Sequence, residues 1–185
     1  MSTEAPSNSS TDEVSLAAAF TVEHHEIDEG IEQYLADSAA TDPFRRAQPL
    51  LTAMKALRRH IYLEEEIVFP RLPKGALMMP LMVMRKEHGE LWQRMDELDE
   101  ILQDPNSEAR GIEQACSEIL TLLDKHNMKE EPVIYPHMDA HLTGPEQEKI
   151  RELLSGGEMP QGWVCEALRE TFYEPCPLRM KEGST

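Results

Sequence analysis

Apolar residues recur at steps of three or four along most of the chain, which is the spacing of one face of an α-helix. The first stripe begins near residue 13, ends near residue 39, and consists of Leu16, Phe20, Ile27, Ile31 and Tyr34. No stretch alternates β-branched and polar residues as a half-buried strand does. The pattern therefore predicts an all-α protein.

Three further stripes predict three more long helices. Asp42 and Pro43 form a start signal, an N-cap acid followed by proline at the first helical position, for a helix that runs to about residue 67. After a proline-rich connection, the third helix is predicted over residues 80–102 and the fourth over residues 108–129. Four amphipathic helices with short links predict an up-down-up-down four-helix bundle.

The same pattern suggests three segments. Residues 1–12 are rich in Ser, Thr, Asn and Pro and have little to bury, so we expect a disordered N-terminal tail. Residues 13–137 are predicted to form the bundle. Residues 138–185 are predicted to be a C-terminal extension with one or two short helices packed outside it.

Composition narrows the classes of partner. The chain has 18 Lys and Arg against 35 Asp and Glu, a net charge of −17, which disfavours nucleic acid and anionic membranes as partners. The cysteines, at positions 116, 165 and 176, fit neither a disulfide framework nor a CxxC motif. No apolar run approaches the roughly 20 residues that span a bilayer, and no signal peptide is visible. We therefore expect a cytoplasmic protein.

An internal repeat is the most informative feature of the chain. Residues 59–70, RHIYLEEEIVFP, align without a gap with residues 125–136, KHNMKEEPVIYP. The aligned pairs are His60 with His126, Glu64 with Glu130 and, in a weaker match between the other two helices, His24 with His88. Each half of the bundle therefore reads His, then a long spacer, then His-x-x-x-Glu.

Helix geometry predicts that the four histidines lie at one level. Two residues equally far from the turn of an antiparallel hairpin have the same height, because each helical residue rises about 1.5 Å. His24 and His60 are each 18 residues from Asp42, and the other two histidines are each 19 residues from Ser107. The histidines also fall on apolar stripes, and the two repeat glutamates lie one turn further on the same face.

Six such groups in one bundle core require a partner, because an uncompensated buried charge costs on the order of several kcal/mol. Imidazole with carboxylate suits iron, manganese or zinc. Six donors are too many for one tetrahedral zinc, whereas two metals, each with two histidines and sharing two bridging glutamates, use them all. The predicted metal ligands are His24, His60, Glu64, His88, His126 and Glu130.

At these residues the chain resembles the hemerythrin-like, HHE cation-binding family, whose signature is this unit used twice in a four-helix bundle. The resemblance implies a non-heme centre of two iron ions joined by an oxo or hydroxo bridge. Two positions depart from the oxygen-carrying members: Trp92 replaces a further histidine, and Glu130 follows its histidine at i+4 where they have Asp at i+5. These departures argue against reversible oxygen carriage.

Three polar neighbours of the predicted ligands are given lesser roles. His25 lies about 100° around the helix from His24 and is expected to face solvent or to support the site. Glu65 and Glu131 follow their histidines at i+5, and we expect them to lie on the surface or to hydrogen-bond the ligands.

The sequence leaves three functions open. The first is a di-iron protein that binds or reacts with a small oxidant, O2, NO or peroxide, at open metal positions. The second is an iron-handling or iron-sensing module, including the iron-sulfur cluster repair type, in which metal occupancy orders the bundle. The third is a four-helix bundle that binds zinc or no metal at all in the cell. Neither a protein partner nor an enzymatic activity follows from the sequence.

Overall fold

Four long helices dominate the computed structural model, which describes residues 14–38 and 42–171 and has no strand in them. They are α1 (Leu16–Ala36), α2 (Pro43–Leu63), α3 (Lys74–Gln103) and α4 (Ala109–Val133). A π-helical turn over Glu64–Val68 and a 3-10 turn over Phe69–Arg71 extend α2, and a second 3-10 turn, Tyr135–His137, follows α4. The shorter helices are α5 (Met138–His141), α6 (Gly144–Leu154) and α7 (Glu166–Thr171). The all-α prediction is confirmed; the expected N-terminal tail lies outside the described residues.

The first two helices begin at side-chain caps. The Ser15 hydroxyl accepts a hydrogen bond from the backbone N–H of Ala18 and starts α1. The Asp42 carboxylate accepts from the N–H groups of Phe44 and Arg45, and Pro43 takes the first helical position of α2. The start signal read from the sequence at Asp42 therefore acts as expected.

Helix α3 begins six residues before the predicted start at Pro80, so that boundary was wrong. Pro80 lies inside the helix, although proline there removes a backbone hydrogen bond. Leu77 and Leu81, on either side of it, are buried against Phe69 and Leu72 in one apolar cluster. Burial of these side chains outweighs the local cost of the proline.

Two apolar clusters fill the core, with a polar layer between them. On α1, Phe20 belongs to the first cluster and Ile27 to the second, and His24 lies between them. In each of the other long helices, the histidine likewise lies between the two apolar clusters. The first cluster includes Leu16, Phe20, Leu63, Phe69, Leu81, Met84 and Tyr135, and the second includes Ile27, Ile31, Leu57, Leu91, Met95 and Ile119.

Packing among the helices positions this polar layer. Helix α1 packs on α2 and α4, and α3 packs on α4, α2 and the short helix α7. Helices α1 and α2 approach closely at Gly30, where a Cβ atom would lie 2.9 Å from both the Ala53 Cβ and the Pro49 carbonyl oxygen. None of the described helices has the length and apolarity that crossing a bilayer requires.

The described cysteines are core residues. Cys116 and Cys165 are buried free thiols, and burial raises the pKa of each to about 11. Cys176 lies outside the described residues. Thiols held protonated in this way are poor nucleophiles and poor metal ligands at neutral pH.

Candidate metal centre

The polar layer contains the six side chains that the repeat singled out. All four histidines and both glutamates are buried, with no more than 4% of any side chain exposed. They come from α1, α2, α3, α4 and the π-helical turn after α2. The equal spacing of the histidines from the turns thus brings them to one level, as the sequence predicted.

The six side chains form two groups of four, and Glu64 and Glu130 belong to both. One group adds His24 and His60, the other adds His88 and His126, and the donor atoms within each group lie within 4.8 Å of one another. The first pair of histidine Nε2 atoms are 3.0 Å apart. Glu64 reaches both groups, because its Oε1 is 3.1 Å from His60 Nε2 and its Oε2 is 3.1 Å from His88 Nε2. Such an arrangement suits a carboxylate that bridges two metals.

Glu130 also lies near a histidine of each group, through one oxygen. Its Oε2 is 3.2 Å from His126 Nε2 in one group and 3.8 Å from His24 Nε2 in the other. Both glutamates are fully buried. The two donor groups are therefore joined by two carboxylates.

A π-helical turn aims two consecutive glutamates inward. In a regular helix Glu65 would lie about 100° from Glu64, whereas the wider turn over Glu64–Val68 keeps both residues buried. Glu131, the repeat partner of Glu65, lies in regular helix and is 35% exposed. The sequence alignment equated the two halves and could not show this difference.

Each histidine is held by a second carboxylate on a different element. A carboxylate can only accept, so each Nδ1 carries the proton and each Nε2 faces the centre. The pairs are His24 Nδ1 with Glu131 (2.9 Å), His60 Nδ1 with Glu23 (2.8 Å), His88 Nδ1 with Glu65 (2.9 Å) and His126 Nδ1 with Glu87 (3.0 Å). Glu65 and Glu131 therefore hydrogen-bond predicted ligands, His88 and His24.

Sequence reasoning missed Glu23 and Glu87. Each directly precedes a predicted ligand in the weaker repeat, which reads Glu-His at both places. Each also pairs with a basic residue, Glu23 with Arg59 and Glu87 with Lys129. The repeated dipeptide was the signal that could have identified them.

Three buried donor atoms at the centre have no hydrogen-bond partner among the described residues: Glu64 Oε2, His88 Nε2 and Glu130 Oε1. The first two lie 3.1 Å apart and form an ion pair when His88 is protonated. A buried polar atom left without a hydrogen-bond partner, as Glu130 Oε1 is among the described residues, costs about 1–3 kcal/mol. A metal ion that takes these lone pairs removes the cost, so the donor set fits a metal.

The charges around the centre also favour cations. Four carboxylates accept hydrogen bonds from the histidines, and two more lie in the donor groups. Three described basic side chains lie close to these carboxylates: Arg59, Lys129 and Arg169, of which Arg169 is 3.9 Å from Glu65. This excess of negative charge in a buried layer is stabilised by bound cations or by protons on the histidines.

Without a metal, protons on the histidines stabilise the negative charge of the layer. Burial by itself lowers the pKa of His60, but Glu64 and Glu23 outweigh burial and hold it well above its usual value. The same competition between burial and adjacent carboxylates raises the pKa of His88 and brings that of His126 to about 10. Burial also works against ionised Glu64, yet His60 and His88 hold its pKa well below the usual range.

His24 is the exception among the histidines. Burial, together with the positive charge of His60, lowers the pKa of His24. The metal-free cluster therefore alternates positive and negative charge and leaves one neutral imidazole.

Tyr135 is a further site residue that the sequence reasoning did not identify. Its hydroxyl lies in the group of His24 and His60, 2.8 Å from His24 Nε2. Burial, Glu130 and Glu64 raise its pKa well above the usual value, so the metal-free phenol keeps its proton. The repeat pairs Tyr135 with Phe69, whose ring stacks on His88 with centroids 5.6 Å apart and planes within 9°.

Trp92 contacts Trp163 and Arg58. Its ring meets Trp163 of the C-terminal segment edge-on at 5.4 Å, and Arg58 lies over its face. Trp92 belongs to the second apolar cluster, so it fills the core one turn beyond His88.

The two adjacent histidines of α1 give a matched pair for testing the register. His24 is buried and faces the donor group, whereas His25 is exposed. We expect His24→Ala to lose metal and His25→Ala to keep it, measured as metal per chain after reconstitution. Loss of metal from His25→Ala alone would mean that α1 is rotated by one residue.

Comparison with known proteins assigns the family. The family model of the hemerythrin HHE cation-binding domain matches residues 15–138, which is more than half of the chain. The chain therefore belongs to the hemerythrin HHE family, as its repeat indicated, and its two groups of histidine and glutamate are the places that could bind metal. Searches of curated proteins and of solved structures found no match.

Proposed function

We propose that the chain binds two iron ions, with His24 and His60 on one, His88 and His126 on the other, and Glu64 and Glu130 bridging them. The observation that carries this proposal is the pair of donor groups that share two buried carboxylates. Four protein donors per metal leave two positions of an octahedral ion for an oxo or hydroxo bridge and for an exogenous ligand.

The proposal extends to the organisation of the chain. Helices α1 and α3 pass from the first apolar cluster to the second, and α2 and α4 pass from the second towards the first. This alternation supports an up-down-up-down bundle. We assign residues 13–137 to this metal-binding bundle and residues 138–185 to an extension. A cytoplasmic location, with no nucleic-acid or membrane partner, fits the net charge of −17.

Iron is favoured over zinc by the number and kind of donors. Zinc in proteins prefers a tetrahedral site that thiolates or imidazoles can close, whereas the shared carboxylates suit a larger coordination number. Bound iron would supply redox chemistry and open coordination positions. We therefore propose that the protein binds or reacts with a small oxidant: O2, NO or peroxide.

The chain's own residues would position and isolate the metals. Glu23, Glu65, Glu87 and Glu131 fix the ring orientation of the four histidines, and such supporting partners are worth roughly 10- to 100-fold in metal affinity. The apolar clusters above and below the layer exclude bulk water. A small molecule could approach next to Phe69, which lines a surface cavity of about 290 Å³ with its ring against His88.

The reaction is tested by mixing diferrous protein, prepared without oxygen, separately with O2, NO and hydrogen peroxide. We expect at least one of them to change the visible spectrum faster than it changes free ferrous iron in the same buffer. Zinc-loaded protein is the matched control and should give no change. A diferrous protein that is inert to all three would rule out oxidant chemistry.

One observation favours the iron-sensing alternative. The backbone N–H of Glu166 donates to Glu65 Oε2 (2.7 Å), and the other oxygen of Glu65 accepts from His88 Nδ1 (2.9 Å). The C-terminal segment is thereby linked to a proposed ligand through one carboxylate. If the chain senses iron, residues 163–171 should become more resistant to proteolysis when iron binds; equal cleavage rates with and without iron would exclude this role.

A further inference from the structure

The two copies of the repeat that builds the donor groups carry different aromatic residues before their proline. Tyr135 and Phe69 each follow the histidine of a His-x-x-x-Glu unit at i+9 and precede a proline. The Tyr135 hydroxyl lies among the donors of His24 and His60, whereas Phe69 offers the other group only a ring face. At this pair of positions, only one half of the centre has a hydroxyl oxygen near its donor atoms.

That oxygen lies at ligand spacing from every donor of its group. Adjacent ligands of an octahedral ion with bonds near 2.1 Å are about 3 Å apart. The distances from Tyr135 Oη are 2.8 Å to His24 Nε2, 3.2 Å to His60 Nε2, 3.2 Å to Glu64 Oε1 and 3.4 Å to Glu130 Oε2. The hydroxyl is thus placed like a fifth ligand beside the other four.

The surroundings hold the phenol ring in this place. Tyr135 is 2% exposed, and its ring stacks on His24 and meets Phe20 edge-on. The 3-10 turn that carries it follows α4 directly, so its position is tied to that of Glu130. A donor that is already ordered loses little conformational freedom on binding a metal.

We propose that Tyr135 Oη is a fifth protein ligand of the metal held by His24 and His60, an inference that rests on the proposed function. When ferric iron binds, the Oη–iron bond forms, the O–H bond breaks, the proton leaves to solvent and no electron is transferred. Phenolate is a hard, anionic oxygen donor of the kind that suits a highly charged ion.

This ligand makes the two metals unequal. The metal at His24 and His60 has five protein donors, and the metal at His88 and His126 has four. An exogenous ligand therefore finds more open positions on the second metal, which is also the one next to Phe69 and its surface cavity.

The test is the visible and resonance Raman spectrum of the iron-loaded protein after oxidation by ferricyanide, which takes one electron from each ferrous ion. A phenolate bound to ferric iron gives a visible charge-transfer band, and excitation in that band enhances tyrosine ring vibrations. We expect the wild type to show both signals and Tyr135→Phe to lose both while it still binds iron. Tyr34→Phe is the matched control, since it removes a buried hydroxyl ten residues after His24 on α1, about 15 Å along the axis.

The outcomes separate this inference from the proposed function. Two irons per chain without tyrosine vibrations in the wild type would overturn the inference and leave the di-iron proposal standing; Tyr135 would then only donate a hydrogen bond to Glu64. Tyrosine vibrations that persist in Tyr135→Phe would also overturn it. The wild type could instead bind a single iron and show both signals, with Tyr135→Phe losing them. That result would support Tyr135 as a ligand and contradict the two-metal proposal. The wild-type spectrum alone decides if Tyr135→Phe does not fold.

Discussion

Glu64→Ala and Glu130→Ala are each expected to lower the bound iron from two ions per chain to near zero. Each carboxylate belongs to both donor groups, so its removal takes a ligand from both metals at once. Glu64→Ala also removes the carboxylate oxygen that lies 3.1 Å from His88 Nε2. The measurement is iron per chain after anaerobic reconstitution and removal of free iron, with circular dichroism to check that the helices are retained.

Glu65→Ala and Glu131→Ala are the matched controls, because each removes a glutamate next to the first two in sequence. They contact one histidine each through Nδ1, so affinity at one metal should fall by roughly 10- to 100-fold while most iron remains at saturating concentration. If these two variants lost more iron than Glu64→Ala and Glu130→Ala, the assignment of the bridging carboxylates would be wrong.

Iron is expected to raise the melting temperature of the protein by roughly 5–10 °C. A ligand that binds only the folded state at one hundred times its Kd adds about 2.7 kcal/mol, and each kcal/mol shifts the melting of a chain of this size by about 2–4 °C. Thermal melts of metal-free and iron-loaded protein, followed by circular dichroism, measure the shift. Coincident melts, with iron shown to be bound, would contradict it.

The rise in melting temperature that iron causes should grow as the pH rises above neutrality. The pKa of His126 is about 10 in the metal-free fold, against about 6.5 in the unfolded chain, and those of His60 and His88 are also raised. A raised histidine pKa stabilises the metal-free fold fully below about pH 6.5, and that contribution is lost as the pH rises towards 10. Iron needs the same nitrogens unprotonated, so the loaded protein does not share this loss. The difference between the two melting temperatures should therefore be larger at pH 9 than at pH 6.

The sequence predicted the level of the four histidines because helical rise is constant, and equal spacing from a turn then means equal height. The i+4 glutamates followed from the same regularity. Helix α3 was placed six residues too late because a local rule about Pro80 was weighed without the packing of Leu77 and Leu81. Burial of these side chains in an apolar cluster, and not the local preference of proline, decided that boundary.

Helical spacing alone did not reveal three features of the centre. The π-helical turn changes the direction of Glu65 without changing its place in the sequence repeat. Glu23 and Glu87 act across helices, each on a histidine of another element. Tyr135 and Phe69 look alike as aromatic residues before a proline, and only their surroundings show that the hydroxyl of one reaches the donor atoms.

The central claim, two metals that share two carboxylates, is tested most directly by the number of irons bound per chain. Metal-free protein is titrated with ferrous iron under anaerobic conditions, passed through a desalting column, and analysed for iron and protein. Six donors divided between two groups predict about two irons per chain. One tightly bound iron per chain, with no second ion at any excess, would contradict the shared arrangement.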